Sequence, residues 1–333
     1  MTIAGDKPGG QNWRGVRALV TGARGFIGTR LCRRLVENGA VVQAISSSAT
    51  PPTRGGITWA RVDLADAAAV QRIVASSAPD VVFHLAGHVT GSHNMDAVQP
   101  TLIGNLVSTV HLLSAAAKAG APRVVVAGSM REPEHSGADT RFGSPYAVSK
   151  WAASGYARLF NELYELPVIV ARLMMVYGPG QWDSTKLVPH VVTSLLEGRS
   201  PALTSGAAQA DWVFVDDVAD GLLGAATVAD GQEVEIGSGQ LTTVRTVVEQ
   251  IASLVRPTVP LQFGALPDRP FERARAARID DARKLFGWVA KTGLDDGLRQ
   301  TVDWYRGTVT RPDDLTIFDD LSLPPNGLQA GPK

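Results

Sequence analysis

Cysteine is nearly absent from this sequence: Cys32 is the one thiol in 333 residues. No intramolecular disulfide can form and no cysteine metal cluster can be assembled, so a reducing, cytoplasmic setting is expected. Net charge is missing too. Lys plus Arg number 32 and Asp plus Glu number 32, with charged residues at 19% of the chain against a usual share of about 25%. That disfavours a nucleic-acid partner, which asks for a basic face, and an acidic disordered chain. No stretch reaches about 18 uninterrupted apolar residues, and Met1 to Val16 holds no apolar run. Neither a membrane span nor a secretory signal is expected.

What is present is alternation. Apolar runs at Val16–Val20, Val41–Ile45, Thr58–Val62, Val81–Leu85, Val124–Ala127 and Val168–Leu173 alternate with helical stretches at Phe26–Asn38 and near Ala67–Ser76, Pro100–Ala119 and Pro145–Leu163. Mostly apolar strands separated by helices of ten or more residues predict a parallel sheet covered on both faces, a doubly wound, Rossmann-like α/β fold. At about 150 residues per domain, the length accommodates that fold and a second, smaller lobe. The expected division is a tail at 1–12, a dinucleotide-binding domain at 13–176, a mainly substrate-binding lobe at 177–310, and a Pro-, Gly- and Asp-rich tail at 311–333. Segments around 210–240 are expected to return to the first domain.

The first strand runs into Thr21-Gly22-Ala23-Arg24-Gly25-Phe26-Ile27-Gly28 and then a helix. Glycines there permit a tight turn, let backbone N–H groups reach a pyrophosphate and bring helix close to strand, while the helix N-terminus favours the anion. The acid that usually bonds the ribose 2′-hydroxyl about 20 positions on is replaced by Ser46, Ser47 and Ser48. Hydroxyls beside Arg24 would accept a 2′-phosphate, which tilts the expectation to NADP(H) over NAD(H). The plain alternative is a solvent-facing Arg24 beside an ordinary serine turn.

Tyr146 and Lys150 stand four apart at the start of the fourth helix, on one face. A lysine ammonium favours phenolate, so the pair suits a general acid/base whose unperturbed value is about 10. Ser129 follows the strand Val124–Ala127, at the carboxyl edge where open α/β sheets bind ligands.

With these residues in order, the chain resembles the extended short-chain dehydrogenase/reductases of the nucleotide-sugar epimerase/dehydratase group. The resemblance runs from about Trp13 to Tyr305 and includes Asp63-Leu64, His84-Leu85-Ala86-Gly87, Asn105, Arg172 to Gly180, Asp211 to Asp217 and Arg269-Pro270. It implies Tyr146 as acid/base, Lys150 as the ribose ligand that tunes it, Ser129 as carbonyl polariser and Arg269 as diphosphate ligand. Asp63, Leu64, Leu85, Ala86, Gly87 and Met174 complete the implied cofactor contacts; His88, Arg131, Met175 and Val188 join Ser129 and Arg269 toward the substrate. It also implies a homodimer through the helices at Thr101–Ala119 and Tyr146–Leu163.

Departures qualify it. Met130 and Arg131 stand where family dehydratases carry an acidic pair, and Met175 and Ala210 replace an Asn and an Arg that usually help hold the diphosphate. Four arginines and one glutamate between Arg269 and Arg278 give that segment a net charge of +3, suited to a small diphosphate. The leading expectation is an NADP(H)-dependent reductase of a 4-keto nucleotide sugar. A 4-epimerase with tightly held NAD is the alternative, and a non-catalytic cofactor sensor a minor one. His84, His88 and His93 do not read as a metal site, Trp212 reads as core beside a more ambiguous Trp182, and Asp216 and Asp217 read as a helix N-cap.

Overall fold

The computed structural model describes residues 12–48, 55–120, 122–133, 142–228, 231–268 and 274–309. The tails expected at 1–12 and 311–333 lie outside these residues except for Asn12, as do Arg269 and Arg273. The strands are β1 (Arg17–Thr21), β2 (Val41–Ser46), β3 (Ile57–Arg61), β4 (Val81–His84), β5 (Arg123–Ser129), β6 (Val168–Leu173), β7 (Met175–Tyr177), β8 (Gln209–Phe214), β9 (Glu233–Ile236) and β10 (Leu241–Thr243). The helices are α1 (Phe26–Glu37), α2 (Ala67–Ser77), α3 (Val98–Thr101), α4 (Ser108–Lys118), α5 (Pro145–Tyr164), α6 (Leu187–Leu196), α7 (Val215–Ala225), α8 (Val244–Val255), α9 (Ile279–Phe286) and α10 (Leu294–Val309).

Seven strands form a parallel sheet in the order β3-β2-β1-β4-β5-β6-β9. Every residue of β4 and β6 is buried, as expected of strands covered on both faces. Leu31 and Leu35 of α1, Val218 and Leu222 of α7 and Phe286 of α9 close one face. Val70 and Val74 of α2, Leu112 and Leu113 of α4 and Phe160 of α5 close the other. The strand order reverses between β1 and β4, which opens a crevice at their carboxyl ends.

After β6 the chain alternates between layers. β7 and β8 run beside each other in a second sheet completed by antiparallel β10, and α6, α8 and α10 enclose its core with Val191, Val248 and Leu298. Between β8 and β10, α7 returns to pack against α1 and β9 becomes the outer strand of the large sheet.

Two expectations need correction. The helix expected at Pro100–Ala119 is not uniform: α3 widens into a π-helical stretch, Leu102–Val107, before α4. Met95–Lys118 is long and apolar enough to cross a membrane by length and composition alone, yet Leu112, Leu113, Ala115 and Ala116 sit in the core. Asp216 and Asp217 do not cap α7, whose N-cap is Phe214. They occupy its first turn, where the helix dipole favours them, with Asp216 3.7 Å from Arg30 and Asp217 accepting the Thr292 amide at 2.8 Å.

Candidate active site

The glycine loop is as tight as its composition predicts. Gly22 has φ +67°, and a Cβ there would lie 2.7 Å from the Ala86 nitrogen; at Gly28 a Cβ would lie 2.1 Å from the Gly22 carbonyl oxygen. Side chains at either position would drive β1, α1 and the strand-end loop 85–87 apart. Gly25 is the N-cap of α1 and offers no side-chain cap, and the first turn carries no acid. Its amides therefore stay open to an anion. Thr21 Oγ1 accepts the Ala86 amide at 3.2 Å and meets His84 Nδ1 at 2.8 Å, while His84 Nε2 meets Thr109 Oγ1 at 2.9 Å. Burial, helped by the Lys150 charge, pushes His84 down to about 3, so it stands neutral beneath the loop, both ring nitrogens engaged.

At the end of β2 the serine cluster is built around Arg24. Arg24 Nη1 donates to Ser48 Oγ at 3.2 Å, Ser46 and Ser48 hydroxyls are 3.0 Å apart, and Arg61 Nε donates to the Ser47 carbonyl at 3.3 Å. Arg61 was not among the residues expected here. Asp63 is exposed and folds onto the Ala65 amide at 2.9 Å, and the Leu64 carbonyl lies 3.0 Å from His111 Nδ1.

The centre of the site is the carboxyl end of β5. β4 stops at His84, opposite Val126, so the Ala127 carbonyl and the Ser129 amide pass beyond their neighbour and need other partners. Lys150 Nζ donates to the Ala127 carbonyl at 2.9 Å, and the Ser129 amide donates to Glu132 Oε1 at 2.6 Å. Ser144 caps α5 through the Ala147 amide and Pro145 opens its first turn, presenting Tyr146 toward Ser129. Burial pushes the Tyr146 phenol above its ordinary value and Glu132 adds to this; Ser129 and Arg131 pull it back. Burial pushes Lys150 down, opposed by Glu132. Asn105, in the π-helical stretch, clamps loop to helix: its Oδ1 accepts the His88 amide at 2.7 Å, and its Nδ2 donates to the His88 carbonyl and Ser149 Oγ. π-helical turns often mark functional sites, since the widened turn re-aims a side chain.

A family model described as the NAD dependent epimerase/dehydratase family matches residues 18–237. The chain belongs to the NAD dependent epimerase/dehydratase family. It is 30% identical over 313 residues to a UDP-glucose 4-epimerase of Mycolicibacterium smegmatis, covering 87% of this chain and 99% of that one. It is 29% identical over 341 residues to a dTDP-glucose 4,6-dehydratase of Neisseria gonorrhoeae, covering 88% and 96%. Among solved structures, MoeE5 in complex with UDP-glucuronic acid and NAD is similar at a TM-score of 0.78 and 30% identity, covering 87% and 99%.

The extended dehydrogenase/reductase frame thus brings Ser129, Tyr146 and Lys150 together beside Gly87, where a Cβ would lie 3.4 Å from Lys150 Nζ. Met174 is buried, its amide on the Ile236 carbonyl, and Met175 begins β7 half-buried. Val188 is buried in the lobe core with Val191 and Val192. Arg269, the expected diphosphate ligand, lies outside the described residues. Arg275 and Arg278, counted in the cationic segment, both pair with buried Glu235, so the net charge of that stretch is partly spent inside the protein. Trp212 is buried, with its Nε1 donating to the Thr242 carbonyl at 3.2 Å, whereas Trp182 meets Trp304 edge-on with ring centroids 4.8 Å apart.

Glu132 was missed. One signal could have found it: Arg172 lies inside the otherwise apolar run Val168–Leu173, and a cation in a fully buried strand demands an acid nearby.

Proposed function

We propose that the protein is an oxidoreductase acting at a sugar carbon of a nucleotide sugar, reducing a 4-keto nucleotide sugar with NADPH. The observation that carries this is the convergence of Ser129, Tyr146 and Lys150 at the carboxyl edge of β5, where Lys150 Nζ donates to the Ala127 carbonyl at 2.9 Å and Ser129 pulls on the Tyr146 phenol. Ser129 Oγ accepts the Arg131 amide at 3.2 Å, which leaves its proton to give to a carbonyl oxygen. Tyr146, pushed upward by burial, holds its proton at neutral pH and so acts as the general acid that protonates that oxygen. Lys150, anchored on Ala127, orients the cofactor ribose next to Gly87. Gly22, Gly25 and Gly28 admit the pyrophosphate, and Arg24 with Ser46 and Ser48 supports a 2′-phosphate. Bound there, the nicotinamide cofactor supplies the hydride.

Elimination of water asks for a carboxylate facing the sugar. Met130 and Arg131 offer none, and Glu132 is buried against the Ser129 amide and Arg172, so the dehydratase activity named for the gonococcal relative is disfavoured. The mycobacterial UDP-glucose 4-epimerase favours a second reading, a 4-epimerase on the same constellation. Purified protein incubated with dTDP-4-keto-6-deoxyglucose and NADPH, or with UDP-glucose and NAD, separates them. Stoichiometric loss of the reduced-nicotinamide band supports the reductase; sugar inversion without net cofactor change supports the epimerase. A Tyr146→Phe protein that remains active in both refutes the mechanism. The same reading includes a homodimer, supported by apolar Ile103, Tyr156, Leu159 and Leu163 standing exposed on the α3–α4 and α5 surfaces; a monomer by light scattering would remove it.

A further inference from the structure

Glu132 is the buried acid the mechanism above leaves unused. It is 3% exposed and its side-chain partner Arg172 likewise 3%. Two bonds lock it to Ser129: its amide donates to the Ser129 carbonyl at 3.1 Å, and its Oε1 accepts the Ser129 amide at 2.6 Å. Inside this turn Ser129 Oγ is held by the Arg131 amide. The other carboxylate oxygen faces Arg172 Nε at 3.6 Å; Arg172 Nη2 reaches Glu233 at 2.9 Å, and Glu233 is held by Arg158 of α5 at 2.8 Å. The ladder therefore runs from the turn after β5 to the helix that carries Tyr146. The carboxylate fits only because residue 128 is glycine: a Cβ there would lie 2.8 Å from Glu132 Oε1 and 3.1 Å from Arg172 Cγ. Apolar side chains would fill the same space without the desolvation that two buried charges cost.

We propose that Glu132 is a positioning residue: through the Ser129 amide it aims the Ser129 hydroxyl at Tyr146, and the Arg172–Glu233–Arg158 ladder ties that aim to α5. This rests on the roles given to Ser129 and Tyr146 above. The carboxylate also acts at a distance. Its negative charge adds to the burial that pushes Tyr146 up and opposes the burial that pushes Lys150 down. The charged groups around it are Arg131 in its own turn, Arg172 on β6, Glu233 on β9 and Lys150 on α5.

Glu132→Ala is the deciding variant, because it removes the acceptor of the Ser129 amide; Glu132→Gln keeps that acceptor and removes the charge, so it is expected to retain most of kcat. The phenolate absorbance of Tyr146, isolated by subtracting the Tyr146→Phe protein, titrates without any substrate; in Glu132→Gln its midpoint is expected to move to lower pH. With the sugar nucleotide the parent protein turns over, Glu132→Ala is expected to lower kcat by roughly hundredfold at little change in KM, the scale of a misplaced catalytic group. Circular dichroism confirms the fold of each. A folded Glu132→Ala protein with unchanged kcat overturns the inference, as does a folded Glu132→Leu/Arg172→Met protein with full kcat. An active Tyr146→Phe protein refutes the functional reading instead, so the two failures are told apart.

Discussion

Asp211 offers a stringent test of how the lobe is fastened to the sheet. Its carboxylate is fully buried at 0% exposure and accepts four hydrogen bonds. They come from the Ser238 amide and hydroxyl at 2.7 Å each, and the Gly239 and Ala277 amides at 2.9 Å each. One side chain thus joins β8 to the loop after β9 and to the segment leading into α9. Asp211→Ala leaves three amides without acceptors, and an unsatisfied buried donor costs about 1–3 kcal/mol. Ala277 is buried and bears the full penalty; Ser238 and Gly239 are half-buried, so water relieves part of theirs. The expected loss is about 3–5 kcal/mol, a large share of the roughly 5–15 kcal/mol typical of a folded protein. Asp211→Asn, which retains one acceptor oxygen, should lose less. Urea unfolding followed by tryptophan fluorescence reads both, and an Asp211→Ala protein within about 0.5 kcal/mol of the parent, as for an ordinary surface change, would refute the reasoning.

Gly28→Ala places a methyl 2.1 Å from the Gly22 oxygen; at about 1–3 kcal/mol for an overpacked group, the dinucleotide Kd should rise by about five- to 150-fold, and an unchanged Kd by calorimetry counts against the loop as cofactor site. His84 is neutral when folded, at about 3 against an ordinary 6.5, so acid protonates the unfolded chain first. Stability should therefore fall as pH drops below about 6.5, at up to about 1.4 kcal/mol per pH unit; His84→Gln should flatten that slope, and equal slopes would contradict it. Arg24→Ala should weaken NADPH binding far more than NADH binding, and equal losses in a fluorescence titration would remove the 2′-phosphate assignment.

The parts of this molecule that could be read from the chain are those whose cause is local. Valine-rich runs define β4, β5 and β6, the Gly22–Gly28 turn declares its tightness, and the four-residue spacing of Tyr146 and Lys150 puts both on one helical face. Glu132 was hard to read for the opposite reason: Arg172 signals that some acid is buried nearby but not which one. The burial of Glu132 depends on a glycine at 128, an arginine 40 residues away on β6 and a glutamate on β9, none of which marks the turn itself. The same holds for Arg275, which looks like a solvent cation until Glu235 is placed beneath it. The widening of the helix at Leu102–Val107 shifts Asn105 by a fraction of a turn, and no apolar spacing announces it.

The late arrival of β9 reaches beyond the site. Because the outermost strand of the large sheet is supplied by residues that follow the first pass through the lobe, cutting the chain near residue 176 would strip β6 of its neighbour. It would expose a bare apolar edge and leave Arg172 without Glu233. A recombinant exchange of lobes between relatives must therefore be discontinuous: the stretch from α7 through β9 travels with the seven-stranded sheet, and only the flanking pieces can be traded.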